Sequence, residues 1–329
     1  MDAPILPFVP SSLLLEINAM PHAADALARL RGPVVPLNLC FDDDGVDFDA
    51  VCRYVDWLCS GENPPIVLLT YGSSEFACVT DDDLWELTDH VGRAVGGRAL
   101  FIASTGYWPP RRTLQFLEHA AACGADAVKV QINTCDGPSA PLLQAYFDAL
   151  ADPGIPLLMW WNPAGWIGMM PRDVLKAFCG LARRPDIIGM KNDGDAFYDY
   201  KNLIRGTADA DFAVVSGGLM QNMLYGYPLG SPAYLCPIAP FRPDIANQFY
   251  QHLVQGELTA AQRVIDDYEE PLMTLAADVE WLSLMKTAIM MRGLYPNNRV
   301  GNPTRSGIEG KELERVEGFY RELFQLERV

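Results

Sequence analysis

The chain has 329 residues, half of them hydrophobic, and a formal net charge of −17. That length supports one large domain or two modest ones around a real apolar core, and so acidic a balance argues against nucleic acid and anionic membrane surfaces as partners. No stretch approaches the ~18 apolar residues of a membrane span, and the opening residues lack the basic start and long apolar core of a secretory signal, so a cytoplasmic protein is expected.

Residues 1–32 read as an N-terminal arm. Beyond them, apolar runs alternate with amphipathic stretches. The runs predict strands at 34–39 (VVPLNL), 66–70 (IVLLT), 99–103, 126–131 (DAVKVQ), 156–160 (PLLMW), 187–190, 212–215 and 233–236. Apolar residues recurring at three and four predict helices over 47–60, 81–95, 111–123, 139–151, 172–183, 196–206 and 218–225. This alternation implies parallel pairing through right-handed crossovers. Eight units before residue 240 favour an α/β fold closed into a (β/α)8 TIM barrel, assigned to 33–240, over an open sheet. No glycine-rich phosphate fingerprint follows the first strand. Helices predicted at 241–255, 258–275, 280–292 and 310–327 make residues 241–329 the last barrel helix and a helical C-terminal extension. The eight cysteines are scattered without CxxC pairs and read as reduced core residues. The four histidines lie far apart, so no protein-ligated metal is expected.

In a barrel the reactive face is where strands end and the loops to the following helices begin. The stretch DIIGMKNDGD (186–195) ends the sixth predicted strand on Lys191. A buried, isoleucine-rich strand should not finish on an ammonium group without cause, because desolvating that charge is costly. Either Lys191 is a structural cation paired with Asp193 or Asp195, or it is a nucleophile whose amine condenses with a ketone or aldehyde. Strand two runs into TYGSSEF (70–76). There Gly72, Ser73 and Ser74 make a small-residue turn, ordinary in itself or able to cradle a carboxylate. Strand five runs into MWWNPAGWIGMMP (159–171), which sets Trp160, Trp161, Trp166 and Asn162 at the mouth. They form either a plug or an apolar pocket wall with one polar group. Strand seven ends in VVSGG (214–218), where Ser216 and Gly217 leave room above the sheet. Two other lysines stand in apolar surroundings: Lys129 in strand four, and Lys286, whose helical face reads as a place for a snorkelling side chain.

Taken in order, VVPLNLCFDDDGVDFDA, YGSSEFACVT, FIASTGYWPPRRT, GADAVKV, WNPAGWIG, IIGMKNDGD, VVSGG and KTAIMMRGL resemble the dihydrodipicolinate synthase / N-acetylneuraminate lyase family of pyruvate-handling class I aldolases. The resemblance implies that Lys191 forms an imine with a small-molecule 2-oxo acid, with no dissociable cofactor and no metal. The protonated imine would act as the electron sink. It further implies that Ser73 and Ser74 match paired threonines that hold the substrate carboxylate and relay protons, and that the protein is a homo-oligomer, dimer or tetramer.

Departures from the family pattern narrow the activity. The strand-five tyrosine that shuttles the proton falls on Trp161, or on Trp160 in a shifted alignment, and an indole N–H is neither acid nor base near neutrality. The arginine for a distal carboxylate falls near Trp166, the strand-four PYYN stretch reads QINTCDG (131–137), and the GTTGE turn is shortened to GSSE. Dihydrodipicolinate synthase and sialic acid lyase activities are therefore not expected. Trp160, Asn162, Pro163, Trp166 and Pro171 follow the spacing of the hydratase-aldolase branch, which acts on aryl-substituted unsaturated pyruvates. The expected function is a Schiff-base lyase acting on pyruvate or a 2-oxo acid with an apolar, aromatic remainder. Lys191, Ser73 and Asn162 would be its catalytic residues, with Tyr71, Tyr107 or a water held by Asn162 supplying the proton. The alternatives are a dehydratase, deaminase or synthase using the same imine, and a non-catalytic barrel that binds an oxo acid.

Overall fold

Eight parallel strands close on one another in the computed structural model, which describes residues 21–132, 139–162, 169–194, 197–302 and 307–327. They are β1 (Gly32–Pro36), β2 (Ile66–Leu68), β3 (Phe101–Ser104), β4 (Ala127–Lys129), β5 (Leu157–Trp161), β6 (Ile187–Asn192), β7 (Ala213–Ser216) and β8 (Ala233–Leu235), and β8 pairs back onto β1. The predicted (β/α)8 architecture is the one observed. Each strand is nearly all apolar because both its faces are covered, one by the barrel interior and one by helices. Val34, Ile66, Leu68, Ile102, Ala127, Leu158, Ala213, Val215 and Leu235 fill the interior. A larger apolar shell lies between the sheet and the helices. Several strands are shorter than their apolar runs. Past β4, for example, the Gln131 N–H leaves the ladder and donates to Thr105 Oγ1 at 2.9 Å.

The helices are α1 (Pro21–Arg29), α2 (Phe48–Leu58), α3 (Asp81–Val95), α4 (Pro110–Ala122), α5 (Ala140–Asp148), α6 (Arg172–Leu181), α7 (Phe197–Gly206), α8 (Met220–Gly226), α9 (Pro243–Val254), α10 (Leu258–Val264), α11 (Glu270–Ala276), α12 (Trp281–Met291) and α13 (Gly310–Phe324). Helix α1 falls inside the segment read as an arm. Ala23 and Ala26, with Leu30 just beyond the helix, recur at three and four, and the structure packs them into the floor of the barrel. Arg29 fastens that floor by donating to Asp126 at 2.7 Å. The helix predicted over 258–275 is interrupted by a π turn, Ile265–Glu269. Pro271 follows it without an N–H to donate, and the helix widens ahead of it.

Two carboxylates tie the C-terminal helices to the loops at the barrel mouth. Glu75 follows the Gly72–Ser74 turn in a left-handed conformation, φ 48°, which is unfavourable for a residue with a Cβ. It is held there by an ion pair with Lys286 of α12, both side chains being buried, and by the Gly301 N–H at 2.8 Å. Lys286 also donates to the Arg299 carbonyl at 2.8 Å. Lys286 is therefore not a snorkelling side chain: no part of it reaches solvent, and its charge is met inside the protein. Burial draws its pKa down while Glu75 opposes the shift. The second carboxylate, Glu269 of the π turn, accepts the Met220 and Gln221 N–H groups at 2.5 and 2.9 Å. These are first-turn donors of α8, which intrahelical bonds leave unsatisfied.

Removing one member of a buried ion pair strands the other charge and costs about 3–5 kcal/mol. Lys286→Met is expected to lower the free energy of unfolding in urea by about 3 kcal/mol, and Glu75→Gln added to it should restore most of the loss. A single-variant loss below about 0.5 kcal/mol would place the pair among those that contribute nothing. For Glu269, burial pushes the carboxyl from an ordinary 4.5 up to about 7. The folded state then holds this proton more tightly than the unfolded chain. Its contribution is full below about pH 4.5 and is lost as pH rises through about 7. Relative to Glu269→Gln, the wild-type melting temperature should fall between pH 5 and 8 and then level off. A difference that stays flat with pH would contradict this.

Candidate active site

All six residues of β6, IIGMKN, are buried. Lys191 pairs with Trp160 of β5 and Val215 of β7, and its ammonium meets both carboxylate oxygens of Asp193. Two residues along a strand bring a side chain back to the same face, which is how Asp193 reaches over Lys191. Trp160 Nε1 donates to Asp193 Oδ2 at 2.5 Å, so one carboxylate joins the lysine to the indole. The β7 loop closes against this group. A Cβ at Gly217 would stand 2.2 Å from Asp193 Oδ1 and 2.2 Å from the Asn192 carbonyl, so only glycine fits. Of the two partners weighed for Lys191, Asp193 is engaged; Asp195 lies outside the described residues.

A second lysine shares the interior. Lys129 of β4 is 1 % exposed, its Nζ makes no hydrogen bond among the described residues, and it stands 4.4 Å from the centroid of the Trp160 ring. Lys129 pairs with Leu158, and Lys191 pairs with Trp160 two residues further along β5. With eight strands and a shear of about eight, height changes by one residue per strand. Two strands offset those two residues, which sets the lysines level on alternating strands. Burial, helped by the nearby Lys191 charge, draws the Lys129 pKa well down, against a smaller opposing pull from Asp193. Sequence reasoning did not include Lys129 in the site. The signal was there: Lys129 and Gln131 put two polar residues on one face of a strand that has no solvent face.

The aromatic wall differs from the one expected. Trp160 faces the interior, but Trp161 lies on the opposite side of β5. It packs edge-on to Phe178 of α6, ring centroids 5.9 Å apart. The two tryptophans alternate across the pleat, so they cannot line one pocket. Trp166 and Pro163 lie outside the described residues. In place of the tryptophan trio, Trp160 continues into Tyr107, 6.1 Å between centroids, and Tyr107 into Tyr71 at 5.1 Å. This arc links the loops after β2 and β3 to β5.

Asn162 follows β5 and is exposed. Ser216 ends β7 buried, with its hydroxyl donating to the Gly218 carbonyl at 3.2 Å. In the β2 turn the two serines separate by role. Ser74 is fully buried, donates to the Leu37 carbonyl at 2.6 Å and accepts from the Thr70 N–H at 3.0 Å. Its hydroxyl is engaged in holding the turn. Ser73 is half-buried, its N–H donating to Thr70 Oγ1 at 3.3 Å, and Gly72 beside it is exposed with open space around it. A separate cavity of about 660 Å³ lies between α1 and the turn before β6, lined by Leu27, Arg31, Ile188 and Asp209, and contains none of these groups.

Known proteins are similar to this chain along most of its length. The dihydrodipicolinate synthetase family matches residues 29–317. A 4-hydroxy-tetrahydrodipicolinate synthase from Staphylococcus carnosus is 25% identical over 299 residues, 90% of this chain and 99% of that protein. A probable 5-dehydro-4-deoxyglucarate dehydratase from Streptomyces avermitilis is 26% identical over 284 residues, 82% of each. YagE from Escherichia coli K12, a dihydrodipicolinic acid synthase family protein solved in complex with pyruvate, superimposes with a TM-score of 0.75 at 20% identity over 90% of this chain and 99% of its own, a likeness of fold. With the match running from α1 into α13, the chain belongs to the dihydrodipicolinate synthetase family and is a lyase-type enzyme of the class I aldolase kind.

Proposed function

We propose that the protein is a Schiff-base lyase of the hydratase-aldolase or aldolase type, acting on pyruvate or a 2-oxo acid with an aromatic remainder. The observation that carries this reading is a lysine amine, Lys191, buried at the mouth end of a barrel strand and paired across the sheet with Trp160, from which an arc runs through Tyr107 to Tyr71. The substrate carboxylate would lie at Gly72 and Ser73, its carbonyl carbon at Lys191, and its remainder against the arc. Asn162 would present the amide that can both donate and accept. Once the imine forms and is protonated, it draws electrons from the adjacent carbon, which allows a carbon–carbon bond to form or break there. No dissociable cofactor is needed for that chemistry.

A second reading is favoured by two observations. Trp160, which cannot transfer a proton near neutrality, stands at the interior position of β5, and a relative at 26% identity is a probable dehydratase. A Schiff-base dehydratase or synthase with the proton routed elsewhere has the same first step.

Burying a ring against the arc contributes roughly 2–3 kcal/mol. Aromatic aldehydes offered with pyruvate should therefore be consumed at least about tenfold more efficiently than hydroxylated aliphatic ones, as followed by pyruvate loss; the reverse preference would refute the aromatic pocket. Ser73→Ala is expected to raise KM about tenfold, the equivalent of ~1.4 kcal/mol of charged hydrogen bonding, with the melting temperature unchanged. Ser74→Ala should instead lower stability by about 1–3 kcal/mol, since it leaves a buried donor and acceptor unmet. If both variants keep wild-type KM, the turn is purely structural.

A further inference from the structure

A buried lysine normally finds an anion, a carbonyl or water, since an unpaired ammonium in an apolar interior is strongly disfavoured. Among the described residues Lys129 Nζ has no hydrogen-bond partner, and it stands over the face of the Trp160 ring. Lys191, level with it two strands away, is ion-paired with Asp193. The two amines thus differ in kind. One is held in an ion pair, the other is a desolvated amine with no hydrogen-bond partner among the described residues. An ion-paired ammonium has no lone pair with which to attack a carbonyl.

Resting on the Schiff-base reading above, we propose that Lys129 is the internal base and acid for imine formation at Lys191, the proton carrier that the tryptophan in β5 cannot be. The step balances without a co-reactant. The Lys129 amine takes a proton from the Lys191 ammonium, directly or through one water, leaving Lys191 as a free amine and Lys129 as an ammonium. The Lys191 amine adds to the carbonyl carbon of the 2-oxo acid. As the C–N bond forms, the carbonyl π pair moves to oxygen, which takes up the proton leaving nitrogen, and a neutral carbinolamine results. Lys129 then returns its proton to that hydroxyl, the C–O bond breaks, and water leaves. The products are an iminium on Lys191 and a neutral Lys129 ready for the next cycle. Overall, one ammonium and one carbonyl give one iminium and one water.

The neighbours of Lys129 suit this role. Among the described residues, the charged groups acting on it are Lys191 and Asp193, both from β6. From β5 come Leu158, its strand partner, and the Trp160 ring, which do not titrate. Desolvation and the adjacent cation both draw its pKa well down, toward the free amine. Trp160 couples the partners, its ring covering Lys129 while its Nε1 holds the Asp193 carboxylate that pairs with Lys191.

The test uses the intact protein with pyruvate as the probe. The rate of adduct formation is followed by borohydride quenching and peptide mass spectrometry from pH 6 to 10. Wild type should accumulate the adduct on Lys191 at neutral pH. Lys129→Met, which keeps the volume and removes the amine, should slow it by roughly a hundredfold and recover only at alkaline pH, where hydroxide removes the proton. Lys129→Arg, a cation with no basic lone pair, should be as slow as Lys129→Met. Melting curves report folding, and since Met removes an unpaired polar group, both stability and final adduct yield should be retained. An unchanged rate and pH profile in Lys129→Met would overturn the inference while leaving the Lys191 imine standing. A rate restored by Lys129→Arg would overturn it in favour of a purely electrostatic role. Absence of any adduct in wild type would overturn both this inference and the proposed function.

Discussion

Lys191 lies in a strand whose every residue is buried, and its charge is tolerated because Asp193, two residues on, folds back over it. Much of the mouth is arranged around that contact. Trp160 donates to the same carboxylate, and Gly217 lets the β7 loop press against it where any side chain would collide. The carboxylate is therefore fixed by its neighbours and in turn fixes the lysine. A buried cation aimed into a closed barrel is costly to maintain, and covalent capture of a carbonyl is the use we propose for it.

The outer structure braces this centre from the C-terminal side. Glu75 stands directly after the Gly72–Ser74 turn and is locked to Lys286 of α12, while Glu269 of the π turn occupies the amides that begin α8, just past the Ser216–Gly218 loop. Two mouth loops thus take their positions from helices that the barrel as such does not require. The π turn belongs to this design: by widening ahead of Pro271 it aims Glu269 into the protein, where burial shifts its titration toward neutrality. The extension thus holds the backbone of two loops at the barrel mouth.

What could be read without coordinates followed from periodicity. Alternating apolar runs and amphipathic stretches imply parallel βα units, and eight of them imply closure. A lysine ending an isoleucine run stands out because desolvation makes it costly. Side-chain facing was much less legible. In LLMWW no polar residue marks which side of β5 turns inward, so Trp160 and Trp161 could not be told apart until Phe178 and Asp193 appeared as their partners. The same ambiguity hid Lys129: DAVKVQ alternates, but in a closed barrel both faces of a strand are interior. Lys286 was misjudged for a different reason. Its partner, Glu75, lies 211 positions away, a separation that local pattern cannot bridge. Helix α1 was passed over although Ala23, Ala26 and Leu30 keep helical spacing, since small residues give a weak apolar signal.

The central claim is that Lys191 carries a covalent imine. It is tested most directly by the carbon-13 spectrum of the protein mixed with pyruvate labelled at its carbonyl carbon. The account predicts a protein-bound iminium resonance in the wild type that disappears in Lys191→Met while the fold, followed by circular dichroism, is retained. A bound iminium signal that persists in Lys191→Met would contradict it, because the electrophile would then be captured by another amine.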